Sequence, residues 1–204
     1  MRLHYHPLST NSRRVRLAAH QLGVALDLVP VDLSRGAQHA PAFAALNPNR
    51  KVPVLEHDGF VLWESYAIMQ YLADLTPGQT LYPADARARA DVNRWLFWCG
   101  QSLMPGVALL NWENHIKPEM GLGTADAAAV AHGEQLLREA AERLDAHLAT
   151  HEWLCASGLS LADLALAAPL ADQDVARFPV QDLPHLQRWF AQVQALEAWA
   201  QTAP

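Results

Sequence analysis

Apolar and polar positions follow two different patterns along the chain. Up to about residue 75, short runs of β-type residues alternate with segments whose apolar residues recur at helical spacing. Helices are predicted to begin near Ser12, residue 40 and Glu64. Strands are predicted at residues 2–5, 24–33, 52–56 and 60–63. The first part of the chain therefore predicts the order βαβ followed by αββα.

Beyond residue 77 the strand signal disappears. The segment "TPGQTLYPADA" at 76–86 is rich in Pro, Gly and Thr, which is typical of a linker. After it, apolar residues recur only at helical spacing, with a disturbance at Pro105. The sequence therefore predicts an α/β domain over residues 1–77 and an all-α domain over residues 87–204.

Composition narrows the class of protein. The chain has 204 residues, of which 51% are hydrophobic and 18% charged, as in a globular protein. The net charge of −6 argues against broad binding of nucleic acid or anionic membranes. Cys99 and Cys155 are far apart and form no metal or redox spacing, which favours a reduced compartment. No signal peptide or membrane span is evident, so we expect a soluble, cytoplasmic protein without a bound metal.

One predicted strand contains a proline. Pro53 lies within "KVPVL" at 51–55, where it cannot donate to a sheet ladder and should occupy an edge or a bend. A hairpin turn signal, "HDG", follows at 57–59, and a helix then opens with Glu64 and Ser65. Taken singly, these features also fit an ordinary edge strand and ordinary helix capping.

Taken together, these motifs resemble a known family. The segments "NPNRKVPVLEHDG", "ESYAI" and "SLADL", in that order and with a helical second half, resemble the glutathione transferase family over almost the whole chain. The resemblance implies a thioredoxin-like N-terminal domain with a cis Val52–Pro53 bond, followed by an all-helical C-terminal bundle. It also implies a homodimer that uses glutathione as a co-substrate. The likeness is to the serine-type (theta-, phi- and zeta-like) branches, as a bacterial member, and it identifies neither the subclass nor the electrophile.

The resemblance also implies a glutathione-binding set. An extended peptide can pair with the backbone of Val52 like an added strand. Glu64 and Ser65, at the start of a helix, are implied to bind the γ-glutamyl group, because a helix N-terminus attracts carboxylates. Lys51 and His39 are implied to reach the glycine carboxylate, although exposed surface cations would look the same. The full set is His39, Lys51, Val52, Pro53, Glu64 and Ser65.

The loop after the first strand is expected to activate the thiol. Aligning "STNSRRVR" with the serine-type branches puts Ser9 at their activating serine, whose hydroxyl would stabilise the reactive thiolate. Asn11, Ser12 and Tyr5 remain alternative donors to the sulfur. No cysteine occurs in this loop, which argues against mixed-disulfide chemistry. Nearby basic residues further suggest a basic rim, formed by Arg13, Arg14, Arg16, Arg50 and Lys51.

In the helical half, the sequence predicts one structural motif and one pocket. Ser160 and Asp163 form an S-x-x-D capping box before an apolar helix, with a role in folding. Trp98 and Trp112 are candidates for an electrophile pocket or a dimer interface.

The predicted function is conjugation of glutathione to a small hydrophobic electrophile, in detoxification. A glutathione-dependent isomerase or dehalogenase, or a non-catalytic module of the same fold, remains the alternative.

Overall fold

The computed structural model of the protein describes residues 1–203, which form two compact units. The first unit contains Met1–Tyr82 together with the residues from Leu196 onward, and the second contains Pro83–Ala195. The helical unit differs from the predicted range of 87–204 at its C-terminal end, because the residues from Leu196 onward group with the N-terminal unit. There, the short helix α10 (Glu197–Gln201) packs on α1 (Thr10–Gln21).

The N-terminal unit is built on one four-stranded sheet. Its strand order is β2-β1-β3-β4, with β1 parallel to β2 and the other two pairs antiparallel. The predicted order βαβ then αββα is confirmed. The elements are β1 (Arg2–Tyr5), α1, β2 (Asp27–Pro30), a 3₁₀ turn (Ala37–His39), α2 (Pro41–Leu46), β3 (Val54–His57), β4 (Phe60–Trp63) and α3 (Ser65–Asp74).

The second strand is shorter than the predicted range of 24–33. It ends at Pro30, because the Asp32 carboxylate closes a turn immediately afterwards. This carboxylate accepts hydrogen bonds from the Ser34 hydroxyl at 2.6 Å and from the Arg35 backbone N–H at 3.2 Å. The donors favour the charged carboxylate and lower the pKa of Asp32.

Alternation of side chains along the strands buries both faces of the sheet. Leu3 and Leu55 are register partners and are fully buried. On the opposite face, Val54 belongs to an apolar cluster with Phe43 of α2 and Val52. The Val52 side chain therefore packs in the core and holds the segment before β3. The backbone next to Val52 lies at the edge of this apolar cluster.

Helices joined by loops form the second unit, whose described residues contain no strand apart from one isolated bridge between Cys155 and Gly158. Two π-helical segments interrupt its first long helix. Pro105 lies in the first turn of the helix after the first of these segments, where its missing N–H costs little. The elements are α4 (Ala86–Trp98), a π segment (Cys99–Leu103), α5 (Met104–Asn111), a second π segment (Trp112–Ile116), α6 (Lys117–Glu119), α7 (Ala127–Leu148), α8 (Leu161–Leu170) and α9 (Pro184–Gln194).

The predicted capping box is present at the start of the buried helix α8. The Ser160 side chain accepts from the Ala162 N–H, and the Asp163 carboxylate accepts from the Ser160 N–H at 2.9 Å. Asp163 also accepts from the backbone N–H of Leu154 and from the indole N–H of Trp189. Burial raises the pKa of Asp163, and the hydrogen bonds that its carboxylate accepts from Leu154, Trp189 and Ser160 oppose that rise. One buried carboxylate thus joins three parts of the helical unit.

Candidate functional site

The sheet register brings three separate segments to one end of the sheet. His4, near the end of β1, pairs with Val54, the first residue of β3. Val54 also pairs with Trp63, the last residue of β4. Because these neighbours are antiparallel, the chain after β1, before β3 and after β4 meets at the same end. The segments that carry Ser9, Val52–Pro53 and Glu64–Ser65 are therefore neighbours.

Ser9 caps the N-terminus of α1. Its Oγ accepts a hydrogen bond from the Ser12 N–H at 3.2 Å, and its carbonyl accepts from the Arg13 N–H at 2.8 Å. Its own N–H donates to the His6 carbonyl at 3.0 Å. The side chain is half-buried. Because capping uses only a lone pair of Oγ, the hydroxyl proton can still be donated to a ligand.

The alternative donors have other surroundings. Ser12 is fully buried, and its Oγ accepts from the His6 N–H at 3.4 Å, so that it is directed back towards the end of β1. The ring of Tyr5 lies 5.2 Å from the guanidinium carbon of Arg16. Asn11 is half-buried in the first turn of α1. Ser9 therefore combines partial exposure with a helix-capping position that the other candidates lack.

A buried asparagine shapes the loop before β3. Asn47 is 3% exposed, and its Nδ2 donates to the carbonyl of Lys51 at 2.7 Å. Its Oδ1 accepts from the N–H of Asn49 at 2.9 Å. Directly after Lys51, the Val52–Pro53 peptide bond is cis, and both of these residues are buried. The sequence motifs did not single out this role of Asn47, although the tendency of asparagine to form Asx turns was the available signal.

The start of α3 has an unusual backbone. Glu64 has φ 75° and ψ 112°, a conformation that side-chain-bearing residues rarely adopt. Such conformations cost about 1–3 kcal/mol and are concentrated at ligand sites. Ser65, the first residue of α3, is 6% exposed, and no side chain caps this helix. The first turn therefore presents N–H groups and partial positive charge that suit a carboxylate.

The remaining predicted contacts of the N-terminal unit, His39 and Lys51, are exposed side chains. His39 ends the 3₁₀ turn that follows β2, and Lys51 precedes Val52. Because β2 is parallel to β1, the connection that follows it leaves at the same end of the sheet. The basic rim expected from the sequence is wrong in part. Arg13 and Arg14 are buried, with guanidinium groups that stack on aromatic rings of their own unit.

In the helical unit, Trp98 and Trp112 lie at opposite ends of the stretch formed by the first π segment and α5. Trp98 is half-buried, and its ring packs edge-on against Trp95, with the ring centres 5.4 Å apart. Trp112 begins the second π segment and is 42% exposed.

Within residues 1–203, no group of His, Cys, Asp and Glu side chains is arranged to hold a metal ion. None of the helices described is long and apolar enough to cross a bilayer.

A thioredoxin-like α/β unit followed by a helical unit is the architecture of glutathione transferases. Comparison with known proteins identifies the family. The family model of the glutathione S-transferase N-terminal domain matches residues 3–80, and that of the C-terminal domain matches residues 103–197. The chain belongs to the glutathione S-transferase family and is a glutathione transferase.

Individual relatives match over nearly the whole chain. Glutathione S-transferase 3 of Zea mays is 34% identical over 99% of this chain and 92% of its own length. Glutathione S-transferase D7 of Anopheles gambiae is 32% identical over 92% of this chain and 83% of its own. Among solved structures, a delta-class glutathione transferase of Nilaparvata lugens is 31% identical, with a TM-score of 0.86, and covers 99% of this chain and 92% of its own.

Proposed function

We propose that this transferase conjugates glutathione to a small hydrophobic electrophile and that the Ser9 hydroxyl stabilises the attacking thiolate. The observation that carries the proposal is the geometry of Ser9. Its Oγ accepts from the Ser12 N–H at 3.2 Å, which leaves the hydroxyl proton as a donor at the end of the sheet. Accepting one hydrogen bond also polarises the hydroxyl and strengthens the bond that it donates.

The energetics of this role are modest. A free thiol has a pKa of about 8.5, and only a few per cent of it is ionised near neutral pH. Lowering this pKa by ~2 units requires ~2.7 kcal/mol. A hydrogen bond to a charged group contributes about 1.5–3 kcal/mol, and the partial charge at the start of α1 adds to it. Ser9 thus acts as an anion stabiliser, since its own hydroxyl is too weak an acid to serve as a base.

The reaction follows from the thiolate. The thiol proton is released to solvent, the sulfur lone pair forms a bond to the electrophilic carbon, and any leaving group departs with its bonding electrons. In this proposal, the cysteinyl unit of glutathione pairs with the backbone of Val52 beside Pro53. The γ-glutamyl group is bound by Glu64 and Ser65. The glycine carboxylate is bound by the exposed side chains of Lys51 and His39.

The proposal extends to the electrophile site and the assembly. Trp98 and Trp112 are proposed to line the electrophile site, and the support for this is the exposed indole surface of Trp112. We also propose, from membership of the family, a homodimer that acts in the cytoplasm, in detoxification.

Replacing Ser9 tests the mechanism. Ser9→Ala removes both the cap and the sulfur donor, and turnover is expected to fall by roughly 10–1000-fold, as for loss of a preorganised oxyanion donor. The pKa of the bound thiol, followed by the ultraviolet absorbance of the thiolate, should rise. Glutathione affinity should change little, because the carboxylates are bound elsewhere. Turnover, thiolate titration and calorimetry measure these three quantities.

Two further variants separate catalysis from capping. Ser9→Asp retains a capping oxygen, so thermal stability should be close to wild type, yet its charge repels the thiolate and turnover should stay low. Thr10→Ala removes the adjacent hydroxyl and should change turnover far less than Ser9→Ala. Full activity of Ser9→Ala with an unchanged pH profile would show that another group contacts the sulfur.

A further inference from the structure

The end of the chain forms part of the N-terminal unit. Residues 196–203, here called the C-terminal strap, contain the short helix α10 and group with the sheet-bearing unit. Ala198 is fully buried and Thr202 is 3% exposed. The Thr202 hydroxyl donates to the Ala198 carbonyl at 2.8 Å, which closes the end of the helix. The strap is therefore a packed element, and what it packs on determines what it can influence.

The principal polar contact of the strap is between Arg13 and Trp199. The guanidinium carbon of Arg13 lies 4.0 Å from the centre of the Trp199 ring, and its Nη2 donates to the Trp199 carbonyl at 3.2 Å. Arg13 is only 8% exposed. Stacking of a guanidinium on tryptophan is stronger when it is shielded from water. One side chain of α1 thus binds both the ring and the backbone of Trp199.

Arg13 lies one helical turn after Ser9. Its backbone N–H donates to the Ser9 carbonyl at 2.8 Å, so the two residues bound the first turn of α1. The other hydrogen bonds of Ser9 and Ser12 are local, namely Ser9 N–H to the His6 carbonyl at 3.0 Å, Ser12 N–H to Ser9 Oγ at 3.2 Å and His6 N–H to Ser12 Oγ at 3.4 Å. Arg14, next to Arg13, stacks on the Tyr66 ring. Helix ends fray. A tertiary contact at Arg13 therefore limits the motion of the turn that carries Ser9.

We infer that the C-terminal strap positions Ser9 for thiolate stabilisation. Arg13 and Trp199 act as positioning residues: they hold the first turn of α1 so that the Ser9 hydroxyl keeps its direction. This inference rests on the proposed role of Ser9. A donor stabilises an anion fully only when its position is fixed before the charge forms. Loosening the strap should therefore raise the pKa of the bound thiol without removing any group that binds the carboxylates of glutathione.

The test compares Trp199→Ala with Gln201→Ala, a change at an exposed position of the same helix. For Trp199→Ala, the pKa of the bound glutathione thiol should rise by about one unit, from about 6.5 to about 7.5, which lowers the thiolate population and kcat at neutral pH about threefold. The KM for glutathione should change less than about twofold. Hydrogen exchange at the amides of residues 10–13 should accelerate. Gln201→Ala should match the wild type in all four measurements.

A second, milder variant distinguishes a positioning role of the strap from a purely structural one, in case Trp199→Ala fails to fold. Arg13→Lys keeps the charge but not the planar stacking group, and an intermediate rise in thiol pKa is expected. If both Trp199→Ala and Arg13→Lys lower Tm but leave the thiol pKa and kcat of the folded protein unchanged, the strap is structural only and the inference is overturned. Ser9→Ala in the same titration separates the two ideas. If it does not raise the thiol pKa, the proposed function of Ser9 fails; if it does while Trp199→Ala does not, only the positioning role fails.

Discussion

Ser65 illustrates how a single residue can combine structural and binding roles. It is the first residue of α3, it is buried, and it follows a residue with positive φ. Glu64 at φ 75° turns the chain sharply from β4 into α3, and its side chain makes no capping hydrogen bond to this helix. A carboxylate at this point could accept hydrogen bonds from the N–H groups of the first turn, which no side chain caps.

Replacing Ser65 should weaken glutathione binding. Ser65→Ala removes one hydroxyl donor to the γ-glutamyl carboxylate, and a hydrogen bond to a charged group contributes about 1.5–3 kcal/mol. We therefore expect Kd to rise roughly 10–100-fold in a calorimetric titration. The pKa of the bound thiol should be unchanged at saturation. Thr124→Ala, at an exposed position of the helical unit, is the control, and an equal Kd in both variants would refute the assignment of Ser65.

At the scale of elements, α5 and α7 approach each other through glycine. A Cβ added to Gly106 would lie 2.5 Å from the backbone nitrogen of Leu137, closer than any real contact. A Cβ at Gly133 of α7 would lie 3.0 Å from Cγ of the Leu110 side chain. The first contact is with backbone and cannot relax without moving a helix. The second is with a side chain that can shift.

The two glycines should therefore respond differently to alanine. Alanine normally stabilises a helix by about 1 kcal/mol relative to glycine. Gly106→Ala should nonetheless lower the free energy of unfolding by about 1–3 kcal/mol, because overpacking separates α5 from α7. Gly133→Ala should lose less. Chemical denaturation of both variants measures the difference, and a stabilised Gly106→Ala protein would show that the two helices are not held this closely.

The start of α9 depends on another helix. Leu183 precedes α9 and provides no side-chain cap. Instead, the Asp145 carboxylate of α7 accepts from the N–H groups of His185 and Leu186, both at 2.8 Å. A local reading of the sequence around 183–186 finds only the proline that opens the helix. The residue that completes this helix start lies about forty positions earlier, so no short motif could identify it.

For the molecule as a whole, His147 provides a pH-sensitive contribution to stability. Its Nε2 donates to the Leu154 carbonyl at 3.0 Å, and its ring stacks on His151 with the centres 4.1 Å apart. Burial lowers the pKa of His147, and the neighbouring His151 and Arg94 lower it further, whereas its contact with Leu154 and the charge of Asp91 act in the opposite direction. The folded protein therefore binds a proton at this site less readily than the unfolded chain does.

This difference predicts acid sensitivity. Because the folded pKa lies below the unfolded value of about 6.5, the stabilising contribution is complete above that pH and is lost as the pH falls through the folded pKa. His147→Gln should flatten the decline of Tm on acidification. His132→Gln, at an exposed position of the same helix, should leave it unchanged. Thermal unfolding at a series of pH values checks this, and equal slopes for the wild type and His147→Gln would contradict it.

Local patterns were sufficient for the elements and for the motifs that mark the site. The hairpin, the starts of α2 and α3 and the approximate positions of the strands follow from spacing and turn chemistry, which act over a few residues. The bounds of β2 and the start of α1, at Thr10 and not Ser12, differ from the prediction. The capping box of Ser160 and Asp163 could be predicted for the same reason, since both residues lie within one helical turn. The roles of Ser9, Val52 and Ser65 stay predictions, because they came from a motif and concern a ligand.

Other features depended on contacts between distant parts of the chain. The burial of Arg13 beneath Trp199, the turn closed by Asn47, and the return of residues 196–203 to the N-terminal unit are examples. A run of arginines on a short segment looks like a charged surface, because charge alone does not reveal which aromatic ring will cover it. Only the packed chain brings residue 13 to residue 199. The tertiary structure therefore decided which arginines are buried and which unit residues 196–203 pack against.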